Sequence, residues 1–386
     1  MQTVTLRLPI ESENLQVLKE TAIQFSKSFA RVCLEGWDSQ RVNGVELHHL
    51  TYQKERQITS LPSQLVCSAR MKATEALKSA KAKLKKGKKA SCPTGKSPTV
   101  RYDARSATVR LDKGIASLAS IDGRVKVSLA ICGYYQKYVS WKICSSDLCF
   151  KRNGGVFLHV VVSADNPVVE PSGKTTGVDL GVNRPAVTSN ADFLGKRQWK
   201  ETIKKYFRIK RALQAKGTDS AKRHLRKLSQ KENRFRKDCD HVISRRIVDA
   251  VGPGSVVVLE DLVNIRGRIK AKRKQRRRIH SWSFARLQSF LDYKGRMRGI
   301  AVEYVDPRYT SQKCCRCGYI ERGNRQSQSW FVCKSCGFQH NADLNAAKNI
   351  RQNYLASKGM SAGSRADVNQ PIVDSTYKPS PLGDGS

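Results

Sequence analysis

Two short stretches constrain this chain more than any others: "CCRCG" at 314–318 and "CKSCG" at 333–337. They set Cys314-x-x-Cys317 and, after fifteen intervening residues, Cys333-x-x-Cys336. Two such pairs fold as knuckles that place four thiolates tetrahedrally around one ion. Gly318 and Gly337 follow the pairs and permit the tight turn that aims backbone N–H groups at sulfur. Four thiolates in a reducing compartment favour a single structural Zn²⁺ in a closed site. Cys315 is surplus; it could replace Cys314 only with a different spacing. The other seven cysteines (Cys33, Cys67, Cys92, Cys132, Cys144, Cys149, Cys239) are scattered and read as small packed apolar groups.

The compartment follows from what the sequence lacks. The start, "MQTVTLRLPIESENLQ", has neither the basic residues nor the apolar core of a signal peptide. No apolar run reaches membrane-spanning length, so no membrane association is expected. A cytoplasmic chain is expected, on the nucleoid when bound to DNA. Lys plus Arg number 72 against 32 Asp plus Glu in 386 residues, a net charge of +40. That excess calls for a polyanionic partner, of which nucleic acid is the commonest. With 39% hydrophobic residues the chain has a core to bury and is no disordered basic tail.

Along the chain, "TVTLRLPI" (3–10) alternates as a strand. Residues 12–38 and about 60–86 carry apolar residues at helical spacing, and 99–164 alternates in short runs broken by Gly and Asn. This pattern predicts a small antiparallel barrel of 1–10 and 99–170 with helices inserted at 11–98. "DNPVVEPSGKT" (165–175) reads as the linker to a second domain. That domain alternates strands with helices. Its helical stretch 200–250 holds 15 Lys/Arg and 4 Asp/Glu between 200 and 238. Lys204, Lys205, Arg208, Arg211, Arg223 and Arg226 are its candidate phosphate contacts. "RGRIKAKRKQRRR" (266–278) places nine basic residues in thirteen, with Arg273, Arg276, Arg277 and Arg278 as further candidates. The Ser-, Gly- and Pro-containing segment 356–386 reads as a disordered tail.

Three acids stand out against this background. Asp179 sits in "TTGVDLGV" and Glu260 in "VVVLEDL", each near the carboxyl end of an apolar strand. Asp343 opens the helical stretch "DLNAAKNI" after the last cysteine pair. A buried carboxylate costs several kcal/mol, roughly, unless it protonates or finds a cation. One such acid would be matched by a Lys or Arg. Three of them, converging, can hold one or two Mg²⁺ ions through oxygen ligands, and two-metal sites hydrolyse phosphodiesters.

"GVDLGV", "VVLEDL" and "DLNAAKNI", in that order and with a four-cysteine ribbon before the last, resemble the RuvC-type nuclease of TnpB proteins, transposon-encoded relatives of the type V CRISPR effectors. "YTSQKCCRCG" and "SWSFARLQSFLDYKGRMRGIAVEYVDPRYTSQ" are similar to the family's lead-in to the ribbon. The resemblance covers about 175–350. It implies an α+β multidomain chain: a wedge-like β-barrel with an inserted helical recognition domain, then an RNase H-like (RuvC) α/β domain over 175–310 and 338–355 with a Cys₄ zinc ribbon inserted at 311–337. It implies Asp179, Glu260 and Asp343 as the catalytic triad holding two Mg²⁺. It also implies a guide RNA from the transposon end, target double-stranded DNA with a short adjacent motif, and one protein chain per guide RNA. An RNA-guided DNA endonuclease is therefore expected. The competing expectations are guided DNA binding without cleavage, a transposase using the same acids, and a basic RNA-binding scaffold; the last leaves the buried strand acids unexplained.

Overall fold

The structure is a computed structural model that describes residues 1–95, 98–151, 153–263 and 284–359. The chain divides into two compact units, Met1–Asp165 and Asn166–Ser386.

In the first unit, strand β1 (Gln2–Glu11) buries Leu6, Leu8 and Ile10 while the residues between them face solvent, as the alternation in the sequence requires. Six more strands follow: β2 (Thr99–Tyr102), β3 (Ala107–Arg110), β4 (Ile115–Ser120), β5 (Gly123–Leu129), β6 (Lys142–Phe150) and β7 (Val156–Ala164). They pair antiparallel in the order β2-β6-β7-β1-β5-β4-β3. Buried Tyr102, on the β2 edge, donates its hydroxyl to the carbonyl of Ala119 on β4, 3.0 Å away. The sheet is thus nearly closed.

Three helices interrupt the sheet between β1 and β2: α1 (Leu15–Asp38), α2 (Gly44–Ile58) and α3 (Ser63–Lys85). α1 buries Leu18, Ala22, Phe25, Phe29 and Val32, spaced three or four apart on one face. Gly36 is where α1 meets its neighbours closely, since a Cβ there would lie 2.6 Å from Leu77 of α3. α2 lies within the helical insertion expected at 11–98, between the helical stretches read at 12–38 and about 60–86. Its start is set by Asn43, whose side chain accepts from the backbone N–H of Val45 at 2.9 Å. It is tied to α1 by a bidentate Arg31–Glu55 pair at 2.7 Å, with Glu55 buried.

The second unit is built on five strands: β8 (Thr175–Asp179), β9 (Ala186–Thr188), β10 (Phe193–Leu194), β11 (Val256–Glu260) and β12 (Ala301–Val305). Their order is β10-β9-β8-β11-β12. β8, β11 and β12 run parallel, while β9 and β10 form an antiparallel meander on the other side of β8. Between β10 and β11 come α4 (Arg197–Lys216) and α5 (Asp219–Val251), separated at Gly217, which adopts the left-handed conformation. Then come α6 (Phe284–Met297), the short hairpin β13 (Trp330–Val332) and β14 (Gln339–Asn341), and α7 (Ala342–Ser357).

The core packs Val178, Val257 and Leu259 of the sheet against Ile243 and Ile247 of α5 and Leu287 and Leu291 of α6. The opposite face of the sheet receives α7. Gly177 makes that possible: a Cβ there would lie 2.2 Å from the carbonyl oxygen of Ala347. Among the described residues no helix is long and apolar enough to cross a membrane.

Two expectations are corrected. Cys33 and Cys239 are buried as packed thiols should be, but Cys132 and Cys144 are exposed. The last helix continues through Ser357, past the expected start of the tail at 356; residues 360–386, like the basic loop 266–278 with Arg273, Arg276, Arg277 and Arg278, lie outside the described residues.

Candidate acidic site and cysteine ribbon

Successive residues of a strand face opposite sides, so Gly177 and Asp179 share a face of β8, as do Val258 and Glu260 of β11. That face is the one α7 covers. Val178 pairs with Leu259 in parallel register, and the two acids lie one step further along, at the carboxyl ends of neighbouring strands. Asp343 lies in the first turn of α7, where Asn341 caps the helix by accepting from the N–H groups of Asp343 and Leu344 at 3.0 and 3.1 Å. Because Ala347 lies over Gly177, Asp343 falls one turn earlier, toward the strand ends that carry Asp179 and Glu260.

The electrostatics follow from this convergence. Burial pushes the Asp179 carboxyl well above the usual carboxylate range, and the charges of Glu260 and Asp343 push it further; Arg325 pulls it back. Burial also raises Glu260, against the opposing effects of a Thr310 hydrogen bond and of Arg325. Thr310 donates to Glu260 Oε1 at 2.5 Å, and Gln288 of α6 donates to the Glu260 carbonyl at 3.0 Å. Arg325 Nη2 donates to Asp343 Oδ1 at 3.0 Å. Among the described residues, Arg325 is the one cation that bears on these three acids, and counted over those residues the site is short of positive charge. That deficit is what divalent cations with oxygen ligands would fill.

The four cysteines are drawn together more tightly. Cys314, Cys317, Cys333 and Cys336 place their sulfurs within 4.8 Å of one another, the one such group of three or more Cys, His, Asp or Glu donors among the described residues. The two pairs form equivalent turns. Cys314 N–H donates to the Tyr319 carbonyl and Gly318 N–H to the Cys314 carbonyl, both at 2.9 Å. Cys333 N–H donates to the Phe338 carbonyl at 2.9 Å and Gly337 N–H to the Cys333 carbonyl at 3.0 Å. Gly318 and Gly337 have φ of 80° and 67°, which a side chain would resist. Although burial pushes the Cys333 thiol up, backbone N–H groups of Cys336 and Ser335 hold it down at about 7. Cys315 is not one of the four; its backbone N–H donates to Asn345 Oδ1 of α7 at 3.0 Å. Four sulfurs at this spacing could hold a metal ion.

Lys204, Lys205, Arg208, Arg211, Arg223 and Arg226 are all exposed on α4 and α5, and none pairs with a carboxylate among the described residues. α4 itself has no buried residue; it leans on α5, where Lys210 and Arg236 both reach Glu232. Sequence reasoning did not single out Arg325 or Thr310. Their partners stand 18 and 50 residues away in the chain, and although Thr310 lies in "YTSQKCCRCG", nothing local there points to Glu260.

Residues 159–266 match a family described as "Probable transposase", and residues 284–350 match "Cas12f1-like, TNB domain". A CRISPR-associated endodeoxyribonuclease Cas12f1 of Sulfoacidibacillus thermotolerans is 40% identical over 136 residues, 35% of this chain and 31% of that one. The TnpB-like protein MJ0751 of Methanocaldococcus jannaschii is 33% identical over 155 residues, 40% of this chain and 53% of that one. The chain thus spans about a third to a half of the length of these relatives. The cryo-EM structure of a Cas12f1-sgRNA-target DNA complex contains a chain that superimposes with a TM-score of 0.58 over 88% of this chain and 82% of its own, at 18% identity. At that identity the likeness is one of fold.

Proposed function

We propose that this chain, a member of the TnpB family through its second half, is an RNA-guided, divalent-metal-dependent DNA endonuclease. The observation that carries the reading is the convergence of Asp179, Glu260 and Asp343 at one end of the β10-β9-β8-β11-β12 sheet, with the first two held above their ordinary carboxylate range. That strand order and the helices on both faces support an RNase H-like, RuvC-type domain. The three acids would hold two Mg²⁺, which supply activation of the attacking water and stabilisation of the leaving oxygen.

The chain's own residues do the rest. β8 and β11 fix two carboxylates on rigid neighbouring strands. α7, seated on Gly177, brings the third. Arg325 balances charge from the ribbon side. The Cys₄ ribbon, with one Zn²⁺, folds the segment that carries Arg325 and leads directly into Asp343. The exposed basic residues of α4 and α5 would grip the phosphate backbones of a guide RNA–DNA duplex, without reading sequence. The nearly closed sheet of the first unit would be the wedge barrel and its three helices the recognition insertion. The guide would come from the transposon end, and a short motif beside the DNA target would be read by protein. One chain per guide RNA is the proposed assembly.

The test is cleavage of matched double-stranded DNA by the purified protein with and without its cognate RNA, in Mg²⁺ and in chelator. Cleavage only with both RNA and metal supports the reading. Guided binding with no cleavage in Mg²⁺ or Mn²⁺ would leave a binding protein instead.

A further inference from the structure

Thr310 is buried, and its side chain contacts Glu260 directly. Its hydroxyl oxygen lies 2.5 Å from Glu260 Oε1 and 3.0 Å from the Pro307 carbonyl. A hydroxyl has one proton to give, and the shorter, charge-assisted contact to a carboxylate is the stronger of the two. A β-branched side chain also has few rotamers, so where the Thr310 backbone goes, the hydroxyl follows.

That backbone is held from α7. Asn349 is fully buried, and its Nδ2 donates to the Thr310 carbonyl at 2.8 Å and to the Lys313 carbonyl at 2.6 Å. Asn345 donates to the Lys313 carbonyl at 2.8 Å and accepts from Cys315 N–H at 3.0 Å. Gln352 donates to the Cys315 carbonyl at 2.9 Å. Positions 345, 349 and 352 lie on one face of a helix. Burying an amide is costly unless it is hydrogen-bonded, and the side-chain N–H groups of buried Asn345 and Asn349 are. Here they strap 310–315 along the same helix whose first turn carries Asp343.

We propose that Thr310 is a positioning residue for Glu260 and that α7 sets it through Asn349, so that one helix aligns two of the three acids. The role of the acids themselves rests on the nuclease reading above; the relay from α7 to Glu260 is the addition. It means that Glu260 and Asp343, 83 residues apart in the chain, share one rigid reference.

The test is Mn²⁺ affinity of the full-length, zinc-loaded protein, measured by titration calorimetry, together with the Mg²⁺ dependence of guided cleavage. Thr310→Val keeps shape and removes the hydroxyl. It should weaken Mn²⁺ binding about tenfold, the loss expected for one charge-assisted hydrogen bond, and move cleavage to higher Mg²⁺. Guided DNA binding should not change, since the relay touches no basic contact. Thr310→Ser restores the donor and should stay within about threefold of wild type. Thr310→Ala must weaken Mn²⁺ in the same way and serves if the valine variant folds poorly. Wild-type Mn²⁺ affinity in the folded valine or alanine variant overturns the proposal, as does a serine variant as weak as valine. If wild-type protein shows no Mn²⁺ binding that Asp179→Asn abolishes, the nuclease reading itself fails and takes this one with it.

Discussion

Gly177→Ala is the smallest change that should disable the site without touching an acid. The added Cβ would lie 2.2 Å from the carbonyl oxygen of Ala347 and 2.7 Å from the backbone nitrogen of Arg351. Ordinary contact begins near 3.4 Å, so α7 must retreat by about 1.2 Å. Both obstacles are helix backbone, so no side chain can swing aside to absorb the methyl. Overpacking of this kind costs about 1–3 kcal/mol. For a unit of this size that lowers Tm by roughly 2–12 °C. The larger effect is on chemistry. Asp343 rides on α7 while Asp179 is two residues from Gly177 on the strand, so the retreat separates two members of the triad. A misplacement of about 1 Å can cost ~100-fold in rate. The assay is single-turnover cleavage by the RNA-loaded protein, with guided DNA binding and a melting curve alongside. Gly133→Ala is the control, because a Cβ there meets nothing within 4 Å. Wild-type rate and Tm in Gly177→Ala would refute the close seating of α7 on β8 and the alignment argued from it.

Alanine at Asp179, Glu260 or Asp343 should each abolish cleavage and spare guided DNA binding, because affinity comes from the guide and the basic contacts; near-wild-type cutting by any one would remove that residue from the triad. In metal-free protein, Asp179 and Glu260 hold protons more tightly folded than unfolded. Their contribution to stability is therefore full below the ordinary carboxylate range and is lost as pH rises through the raised folded values. Divalent cations should accordingly raise Tm more at about pH 8 than at about pH 5, and Asp179→Asn should shrink that difference; a gain independent of pH would contradict it. Protein purified without added metal should carry about one zinc per chain, and Cys333→Ser should lose it together with folded ribbon, as metal analysis and melting curves will show. Replacing Lys204, Lys205, Arg208 and Arg211 with Gln should lower the log–log salt slope of nucleic-acid binding by roughly 0.7–0.9 per lost phosphate contact, and the same holds for Arg273, Arg276, Arg277 and Arg278; an unchanged slope leaves them solvated surface.

What could be read in advance depended on how local the signal was. "VVVLEDL" betrays a strand by its apolar run, and the acid at its end is anomalous for that reason alone. Asp179 is visible by the same contrast. The cysteine turns are equally legible, because spacing and the following glycine define them within five residues. Within the expected helical insertion, α2 is less distinct than its neighbours because only Leu47, Thr51 and Glu55 are buried on it, and its buried acid is matched by Arg31 from another helix. Arg325 and Thr310 escape notice for a stronger reason: each acts through a partner that only the fold brings near. Yet one trace of the relay was in the sequence. In "DLNAAKNIRQN" the apolar Leu344, Ala346, Ala347 and Ile350 supply the core-facing positions of a buried helix, and Asn345, Asn349 and Gln352 form a second stripe of amides. A surface stripe on so basic a chain would be expected to carry charge. Uncharged amides at helical spacing beside buried alanines instead imply hydrogen bonds to backbone that has no ladder of its own, which is what the segment 310–315 requires.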